Sequence, residues 1–165
     1  MKVFLLFLCP SAGNDVHMDI QWILKIFDEL SPQELYTIMQ LRNEIFVVEQ
    51  NCVYQDADDK DQLSYHFMGW HNEKLIAYTR ILPAGVAFNM VSIGRVVTSP
   101  RIRRSGIGKV LMIKSIEQVQ KIFGKVTIMI GAQLYLNEFY SSLGFKQCSD
   151  VYLEDGIEHI EMILA

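Results

Sequence analysis

The chain has 165 residues, of which half are hydrophobic, and a formal net charge of −4 at pH 7. This length suits one domain with a single core and excludes two ordinary domains, while the acidic balance argues against general binding to nucleic acid. The three cysteines and four histidines show no zinc-binding spacing, so we expect reduced thiols, no metal site and a cytoplasmic location. No apolar stretch reaches the length of a membrane span, so we expect no membrane partner.

An N-terminal segment, residues 1–17, precedes the predicted domain of residues 18–165. The apolar run over 3–9 follows a lysine, as in a secretion signal, but it is at the short limit for one. Met18 looks like a natural start for the domain. We therefore interpret residues 1–17 as an upstream extension or tail.

The first half of the domain predicts a strand, a helix and an acidic loop. A strand over 20–27 precedes the capping box Ser31-Pro32-Gln33-Glu34, which begins a helix that continues through Phe46. The polar loop over 49–64 contains a cluster of aspartates. Such a run is typical of a solvated loop, and it would also favour a cationic acceptor such as an amine.

The rest of the domain predicts a sheet with two further helices. In chain order the pattern predicts strands over 65–70, 75–82 and 91–98, a helix over 106–123, a strand over 125–130, a helix over 134–143 and final strands near 145–153 and 158–164. Three antiparallel strands, a strand–helix–strand–helix unit and a terminal hairpin indicate an α+β fold.

The most informative segment joins the strand over 91–98 to the helix that follows it. The loop Arg103-Arg104-Ser105-Gly106-Ile107-Gly108 brings two arginines and two glycines to a helix N-terminus, where unpaired N–H groups and the helix dipole favour an anion. Neither the spacing of a P-loop nor the third glycine of a dinucleotide loop is present. We therefore expect a site for a pyrophosphate-bearing cofactor, with a basic helix start that binds no ligand as the alternative.

The loop has the form R-x-x-G-x-G and resembles the acetyl-CoA loop of the GNAT superfamily of N-acetyltransferases. The segment from Asn137 to Phe145 resembles the N-x-x-F-Y-x-x-x-G-F block of the same superfamily. Further segments resemble its ElaA-like branch, namely Leu41 to Asp56, Ile93 to Val96, Gly131 to Gln133 and Glu154 to Ile160. The resemblance implies a GNAT-like sheet, mixed and mostly antiparallel, that is flanked by helices and has a splayed strand–loop–helix cofactor site.

The resemblance also implies acetyl-CoA as the acyl donor and direct attack by the amine of a small molecule or peptide. It implies that the donor binds to Val96, Val97, Thr98, Arg103, Arg104, Ser105, Gly106, Ile107, Gly108, Lys109, Asn137 and Tyr140. Tyr140 is the candidate acid for the departing thiolate, because a thiol pKa of roughly 8.5 is near the phenol value of roughly 10. A packing role is the alternative for this aromatic side chain.

Glu49 and His66 are the two candidate bases that would take the proton of the amine. Glu49 follows the first helix, and it is also a possible ion-pair partner for Arg42, which lies on the apolar face of that helix and needs an anionic or carbonyl partner. His66 begins a strand that would line the acceptor cleft, although a hydrogen-bonding role is equally suitable. Arg42, Arg80 and Arg95 are candidate acceptor-binding residues, or buried charges that the acidic loop satisfies.

Three functions stay open on the sequence. The first is a GNAT N-acetyltransferase, which the two cofactor motifs favour. The second is an acyltransferase similar to acyl-homoserine-lactone synthases, which Arg42-x-x-x-Phe46-Val47 and the acidic loop resemble. The third is a non-catalytic acyl-CoA-binding protein. The sequence identifies neither the acceptor amine nor the oligomeric state, for which a homodimer is a candidate.

Overall fold

The computed structural model describes residues 18–165, so the predicted extension over residues 1–17 lies outside the described part of the chain. Within that part, eight strands form one sheet in the spatial order β1-β2-β3-β4-β5-β8-β6, and β7 also pairs with β8. The strands are β1 Gln21–Ile26, β2 Tyr65–His71, β3 Lys74–Leu82, β4 Val91–Thr98, β5 Ile128–Gln133, β6 Lys146–Gln147, β7 Tyr152–Glu154 and β8 Ile157–Leu164.

The sheet is mixed and mostly antiparallel, as predicted. The pairing of β4 with β5 is parallel, whereas the other pairings among the described strands are antiparallel. A helix, α2 (Ile107–Phe123), provides the crossover between the two parallel strands. This single parallel pair interrupts the antiparallel order at the centre of the sheet.

Helices cover the two faces of the sheet and bury a core on each side. Alternate residues of a strand point to opposite faces, so Phe67 packs with the α2 residues Leu111 and Met112, while its neighbour Met68 packs with Ile38 of α1 (Pro32–Arg42). A third helix, α3 (Asn137–Ser141), lies between β5 and β6 in the chain. None of the helices in residues 18–165 is long and apolar enough to cross a membrane.

The first helix begins as predicted, and its end differs. The Ser31 hydroxyl accepts a hydrogen bond from the Glu34 N–H at 3.2 Å, and the Glu34 carboxylate accepts one from the Ser31 N–H at 2.8 Å, which confirms the capping box. The chain then winds into a wider π-helical segment over Asn43–Glu49. π-Helical turns often occur at functional sites, and this one determines where Glu49 and the residue after it lie.

The later elements confirm the predicted order with shifted boundaries. Gly124 ends α2 with a φ of +78°, and the next three residues connect it to β5, which therefore begins at Ile128 rather than at residue 125. The predicted helix over 134–143 is a 3₁₀ turn at Leu134–Leu136 followed by α3. The predicted strand near 145–153 is two short strands, β6 and β7, that both pair with β8.

Candidate active site

The candidate site begins where β4 and β5 separate. The two strands pair only through Val91–Ile128 and Ser92–Met129, after which β4 continues along β3 and β5 continues along β8. A bulge accompanies the separation, because Arg95 and Val96 of β4 lie opposite Thr79 alone, and Arg95 has a left-handed φ of +51°. The result is a wedge between β4 and β5 that exposes one edge of β4 to a ligand.

The loop at the open end of β4 has the geometry of an anion site. Gly106 precedes α2 with a φ of +82°, and the Lys109 and Val110 N–H groups both donate to its carbonyl, at 3.0 and 3.3 Å. The preceding N–H groups of the helix have no intrahelical carbonyl to bind. An added Cβ on Gly106 or Gly108 would meet no described atom within 4 Å, so this backbone is open to a phosphate.

A cavity of about 400 Å³ lies against this loop. Its lining combines three cations with apolar side chains from both sides of the wedge, namely Thr98, Ile102, Arg103, Arg104, Gly106, Ile107, Gly108, Lys109 and Phe139. Arg103, Arg104 and Lys109 are all exposed. An anionic group with an apolar arm matches this lining, because its charge would meet the cations and its arm would run along β4.

Tyr140 lies on α3 beside the cavity. Its side chain is 5% exposed and packs edge-on against Phe139, which lines the cavity, and against Phe145. Burial raises the pKa of Tyr140 above its usual range, and nearby Tyr135 adds to the shift. The hydroxyl is therefore protonated at neutral pH, and it is a weaker acid than a phenol in water. Asn137 begins α3 and accepts a hydrogen bond from Ser141 at 3.1 Å.

Glu49 pairs with the phosphate loop. Its two carboxylate oxygens accept hydrogen bonds from Nη1 and Nη2 of Arg103, at 2.7 and 2.9 Å. Both side chains remain about two-fifths exposed. Although the side chain of Tyr135 is largely exposed, partial desolvation raises its pKa, while Arg103 opposes that shift and Glu49 adds to it. Tyr135 therefore lies within electrostatic range of the pair. The partner of Glu49 is thus Arg103, and not Arg42, which the sequence offered as a possible ion-pair partner.

Gln50 and Gln133 form a second contact at the same end of the wedge. The Gln133 amide donates to the Gln50 side-chain carbonyl at 3.1 Å, and the reciprocal contact is 3.5 Å. Gln133 is the last residue of β5, so this pair joins the π-helical segment to the far side of the wedge. Neither glutamine is predicted as a site residue from the sequence, because the contact spans 83 positions and no local pattern signals it.

His66 is completely buried, and both of its ring nitrogens have partners. Nε2 lies 3.0 Å from the Asp61 carbonyl, which only accepts, so Nε2 carries the proton. Nδ1 lies 2.9 Å from the Tyr78 hydroxyl and therefore accepts from it. Burial lowers the pKa of His66 despite the opposing effect of Asp61. The imidazole is thus neutral, and neither nitrogen is free to receive a proton from an amine.

Arg42 is fully buried in ion pairs with the acidic loop. Nε lies 2.8 Å from Oδ2 of Asp56, Nη1 lies 2.7 Å from Oδ1 of Asp61, and Nη2 donates to the Asp56 carbonyl at 3.0 Å. All of these donors point into the protein. The acidic loop therefore supplies the anionic partner that the sequence predicts for Arg42.

Arg80 and Arg95 join the same network. Arg80 binds both carboxylate oxygens of Asp58, at 2.6 and 2.8 Å, and Oδ1 of Asp61 at 2.9 Å. Arg95 binds Asp56 Oδ1 at 2.7 Å. Although burial alone would raise the pKa of Asp58, Arg80 and then Arg95 hold it well below its usual range. We call these three arginines and three aspartates the arginine–aspartate cluster, comprising Arg42, Arg80, Arg95, Asp56, Asp58 and Asp61.

The cluster corrects the expectation of a solvated acidic loop. Asp56 and Asp61 are buried, with 3% and 6% of their surface exposed, because their carboxylates compensate buried guanidinium groups. Asp59 of the same loop is exposed. The sequence does not show which aspartates of the run are buried. Their burial depends on guanidinium partners from α1, β3 and β4.

The sequence was also compared with models of known protein families. The family model described as the acetyltransferase (GNAT) domain matches residues 27–165. The chain belongs to the GNAT family. GNAT membership confirms the predicted fold and makes the protein an acyl-CoA-dependent acyltransferase.

Two similar proteins cover nearly all of this GNAT domain. Protein ElaA of Escherichia coli (strain K12) is 43% identical over 145 residues, which are 87% of this chain and 95% of ElaA. The crystal structure of Escherichia coli ElaA superposes with a TM-score of 0.82 and covers 87% of this chain and 98% of that one. An acyl-CoA N-acyltransferase from Pseudomonas aeruginosa superposes with a TM-score of 0.85 at 38% identity, covering 89% and 100% of the two chains.

The GNAT fold also extends to more distant proteins. A CoA-dependent acyl-homoserine lactone synthase, MesI, superposes with a TM-score of 0.69 at 13% identity, over 87% of each chain. At this identity the likeness shows a shared fold alone. It therefore does not favour the synthase function over the N-acetyltransferase function.

Proposed function

We propose that the protein is an N-acetyltransferase that moves an acetyl group from acetyl-CoA to the primary amine of a small molecule or peptide by direct attack. One observation carries the proposal, namely the wedge between β4 and β5 with an open, cationic helix N-terminus at its end. A thioester arm and a pyrophosphate require these two environments side by side.

In this proposal the donor lies along β4 and ends at the loop. The backbone of Val96, Val97 and Thr98 binds the pantetheine arm, because this edge of β4 has no strand partner beyond Ser92. The pyrophosphate binds the N–H groups at the start of α2, with charge from the exposed cations of the loop, and Asn137 reaches the donor from α3. The proposed phosphate ligands are Arg103, Arg104, Ser105, Gly106, Ile107, Gly108 and Lys109.

The transfer needs one acid and one base. A neutral amine attacks the thioester carbon, the new carbon–nitrogen bond replaces the carbon–sulfur bond, and the amine loses a proton while the thiolate gains one. We assign the acid to Tyr140, because its hydroxyl is protonated at neutral pH and its ring packs on a residue of the cavity wall. A backbone N–H of β4 would stabilise the charge that develops on the carbonyl oxygen.

We assign the base to Glu49 rather than to His66. Glu49 carries an exposed carboxylate at the open end of the wedge, where an amine can reach it directly or through a water. His66 has both nitrogens occupied in the interior, so we propose a structural role for it. We likewise propose that Arg42, Arg80 and Arg95 hold the acidic loop in place, since each of them forms ion pairs with aspartates of that loop.

A thermal-shift comparison tests the donor. We expect acetyl-CoA and CoA to stabilise the protein, and S-adenosylmethionine and NADH to have no effect. A ligand at 100 times its dissociation constant adds about 2.7 kcal/mol to the free energy of unfolding. Stabilisation by S-adenosylmethionine would instead support the synthase function. Binding of CoA without transfer to any amine in a broad screen would support a non-catalytic protein.

A pair of glycine variants localises the effect. Gly106→Asp should abolish the shift with CoA, because a carboxylate would stand where the phosphate binds. Gly85→Asp is the matched control, since Gly85 has a similar φ of +88°, equally open surroundings and a position at the opposite end of β4. Equal CoA shifts for both variants would contradict the proposed phosphate site.

A further inference from the structure

Arg103 belongs to two sites at once. Arg103 lines the cavity of the phosphate loop, and both of its terminal guanidinium nitrogens donate to the carboxylate of Glu49. A forked guanidinium binds one carboxylate or one phosphate in this bidentate manner, and the two anions require the same donors. An anion that reaches Arg103 from the cavity must therefore compete with Glu49.

The pair with Glu49 is exposed enough to exchange. Each side chain keeps about two-fifths of its surface in solvent, so breaking the pair leaves no buried charge without a partner. The arginine–aspartate cluster differs in this respect, because Arg42 has no exposed surface and its carboxylate partners hold it in the interior. Among the described arginines that pair with carboxylates, Arg103 is the one that also lines the cavity.

The neighbouring residue makes a contact on the other side of the wedge. Gln50 follows Glu49 directly and pairs with Gln133 at the end of β5. Glu49 and Gln50, which we call the strap, thus join the end of the π-helical segment to both the phosphate loop and β5. The strap thus connects the two sides of the wedge through these contacts, and Arg103 occupies the carboxylate of Glu49.

We propose that donor binding transfers Arg103 from Glu49 to the donor phosphate and thereby frees the Glu49 carboxylate for the acceptor amine. The inference rests on the proposed function, because it needs a phosphate-bearing donor in the cavity. It gives Arg103 the role of a positioning residue that couples the two substrates.

The exchange is tested by CoA binding, which needs no acceptor. Isothermal titration of CoA should show Glu49→Gln binding about two- to fivefold more tightly than the natural protein, because the competing carboxylate is gone. Arg103→Ala should bind CoA more weakly. In the Arg103→Ala background, Glu49→Gln should change the affinity by less than about 1.5-fold, since there is no guanidinium left to release.

Glu44→Gln is the matched control. Glu44 is an exposed carboxylate of the same π-helical segment and forms no ion pair within residues 18–165. A general effect of lost negative charge would tighten CoA binding equally in Glu44→Gln and Glu49→Gln, and that result would overturn the exchange. So would unchanged or weaker binding in Glu49→Gln, or equal tightening with and without Arg103. These results leave the proposed function standing, whereas a natural protein that does not bind CoA overturns both proposals.

Discussion

The arginine–aspartate cluster and the phosphate loop contain most of the cationic side chains near the wedge, and they differ in how those charges are satisfied. In the cluster, three guanidinium groups face three carboxylates, and Arg42 has no exposed surface. In the loop, Arg104 and Lys109 are exposed and form no ion pair within the described residues. Both regions are adjacent to β4, so the difference is not one of location in the fold.

The difference separates a structural use of arginine from a binding use. A buried guanidinium is tolerated only when the protein itself supplies the counter-charge, and that requirement leaves it unavailable to a ligand. Exposed cations beside open glycine backbone are stable in water and keep their donors available. Residues of the cluster should therefore determine stability, whereas residues of the loop and the wedge should determine binding and turnover.

Tyr140→Phe should give the largest effect on turnover. Loss of a general acid typically costs about 10²- to 10⁴-fold in rate, so we expect a decrease of at least about 100-fold in acetyl transfer to an amine identified by screening. Affinity for CoA should not change, because the ring and its packing on Phe139 and Phe145 remain. Tyr135→Phe, at an exposed tyrosine before the same helix, is the control. An unchanged rate in Tyr140→Phe would remove Tyr140 from the mechanism.

Asp56→Asn should give the largest effect on stability. The substitution removes one of the two carboxylates that pair with buried Arg42, as well as a partner of Arg95. Breaking a buried pair in this way costs about 3–5 kcal/mol in free energy of unfolding. Urea-induced unfolding measures the change. Asp59→Asn makes the same chemical change in an exposed residue of the same loop, where Asn also tolerates the left-handed φ of +57°. Equal stability losses in the two variants would mean that burial of the cluster does not matter.

The parts of the fold that the sequence predicted are those with a local physical signal. The capping box at Ser31 fixes the start of α1, and the glycines at 106 and 124 mark both ends of α2. A short apolar run before the glycine loop predicts β4 with its observed bounds, Val91–Thr98. Each of these signals lies within a few residues of the element that it defines, so no knowledge of the rest of the chain is needed.

The parts that were not predicted depend on distant partners. Asp56 and Asp59 are the same residue type in the same acidic run. Asp56 is the buried one because Arg42 and Arg95 lie next to it in the folded protein. The pairing of Gln50 with Gln133 and of Glu49 with Arg103 joins segments that are 83 and 54 positions apart. A candidate base such as His66 looks equally suitable in the sequence, because its two hydrogen-bond partners come from another strand and from the loop.

Lys109→Gln should weaken CoA binding without loss of stability. A charge-assisted hydrogen bond to a phosphate contributes about 1.5 kcal/mol or more, so we expect a roughly tenfold higher dissociation constant. The effect should shrink as salt is added, because exposed charges are screened. Lys121→Gln removes the same charge from the other end of α2, where Lys121 is also exposed, and should leave the affinity unchanged. Equal loss in both variants would indicate a general electrostatic effect rather than a phosphate site.

The smallest expected effect comes from His66 and appears only on acidification. Because burial lowers the pKa of His66 in the folded protein, the unfolded chain binds its proton at a higher pH, near 6.5. The stabilising contribution is therefore complete above about pH 6.5 and decreases as the pH falls, by at most about 1.4 kcal/mol per pH unit. Urea unfolding between pH 7 and 5.5 should show this decrease in the natural protein.

His66→Gln should flatten that pH dependence while lowering stability at every pH, because the side chain no longer titrates and the bonds to Asp61 and Tyr78 are disturbed. The ring protons of His66 should correspondingly show no NMR titration near pH 6.5. A titration there would mean that one ring nitrogen is accessible to solvent, and it would return His66 to consideration as the base. An imidazole that stays neutral while transfer still requires a deprotonated group would support the proposal that a carboxylate, that of Glu49, is the base.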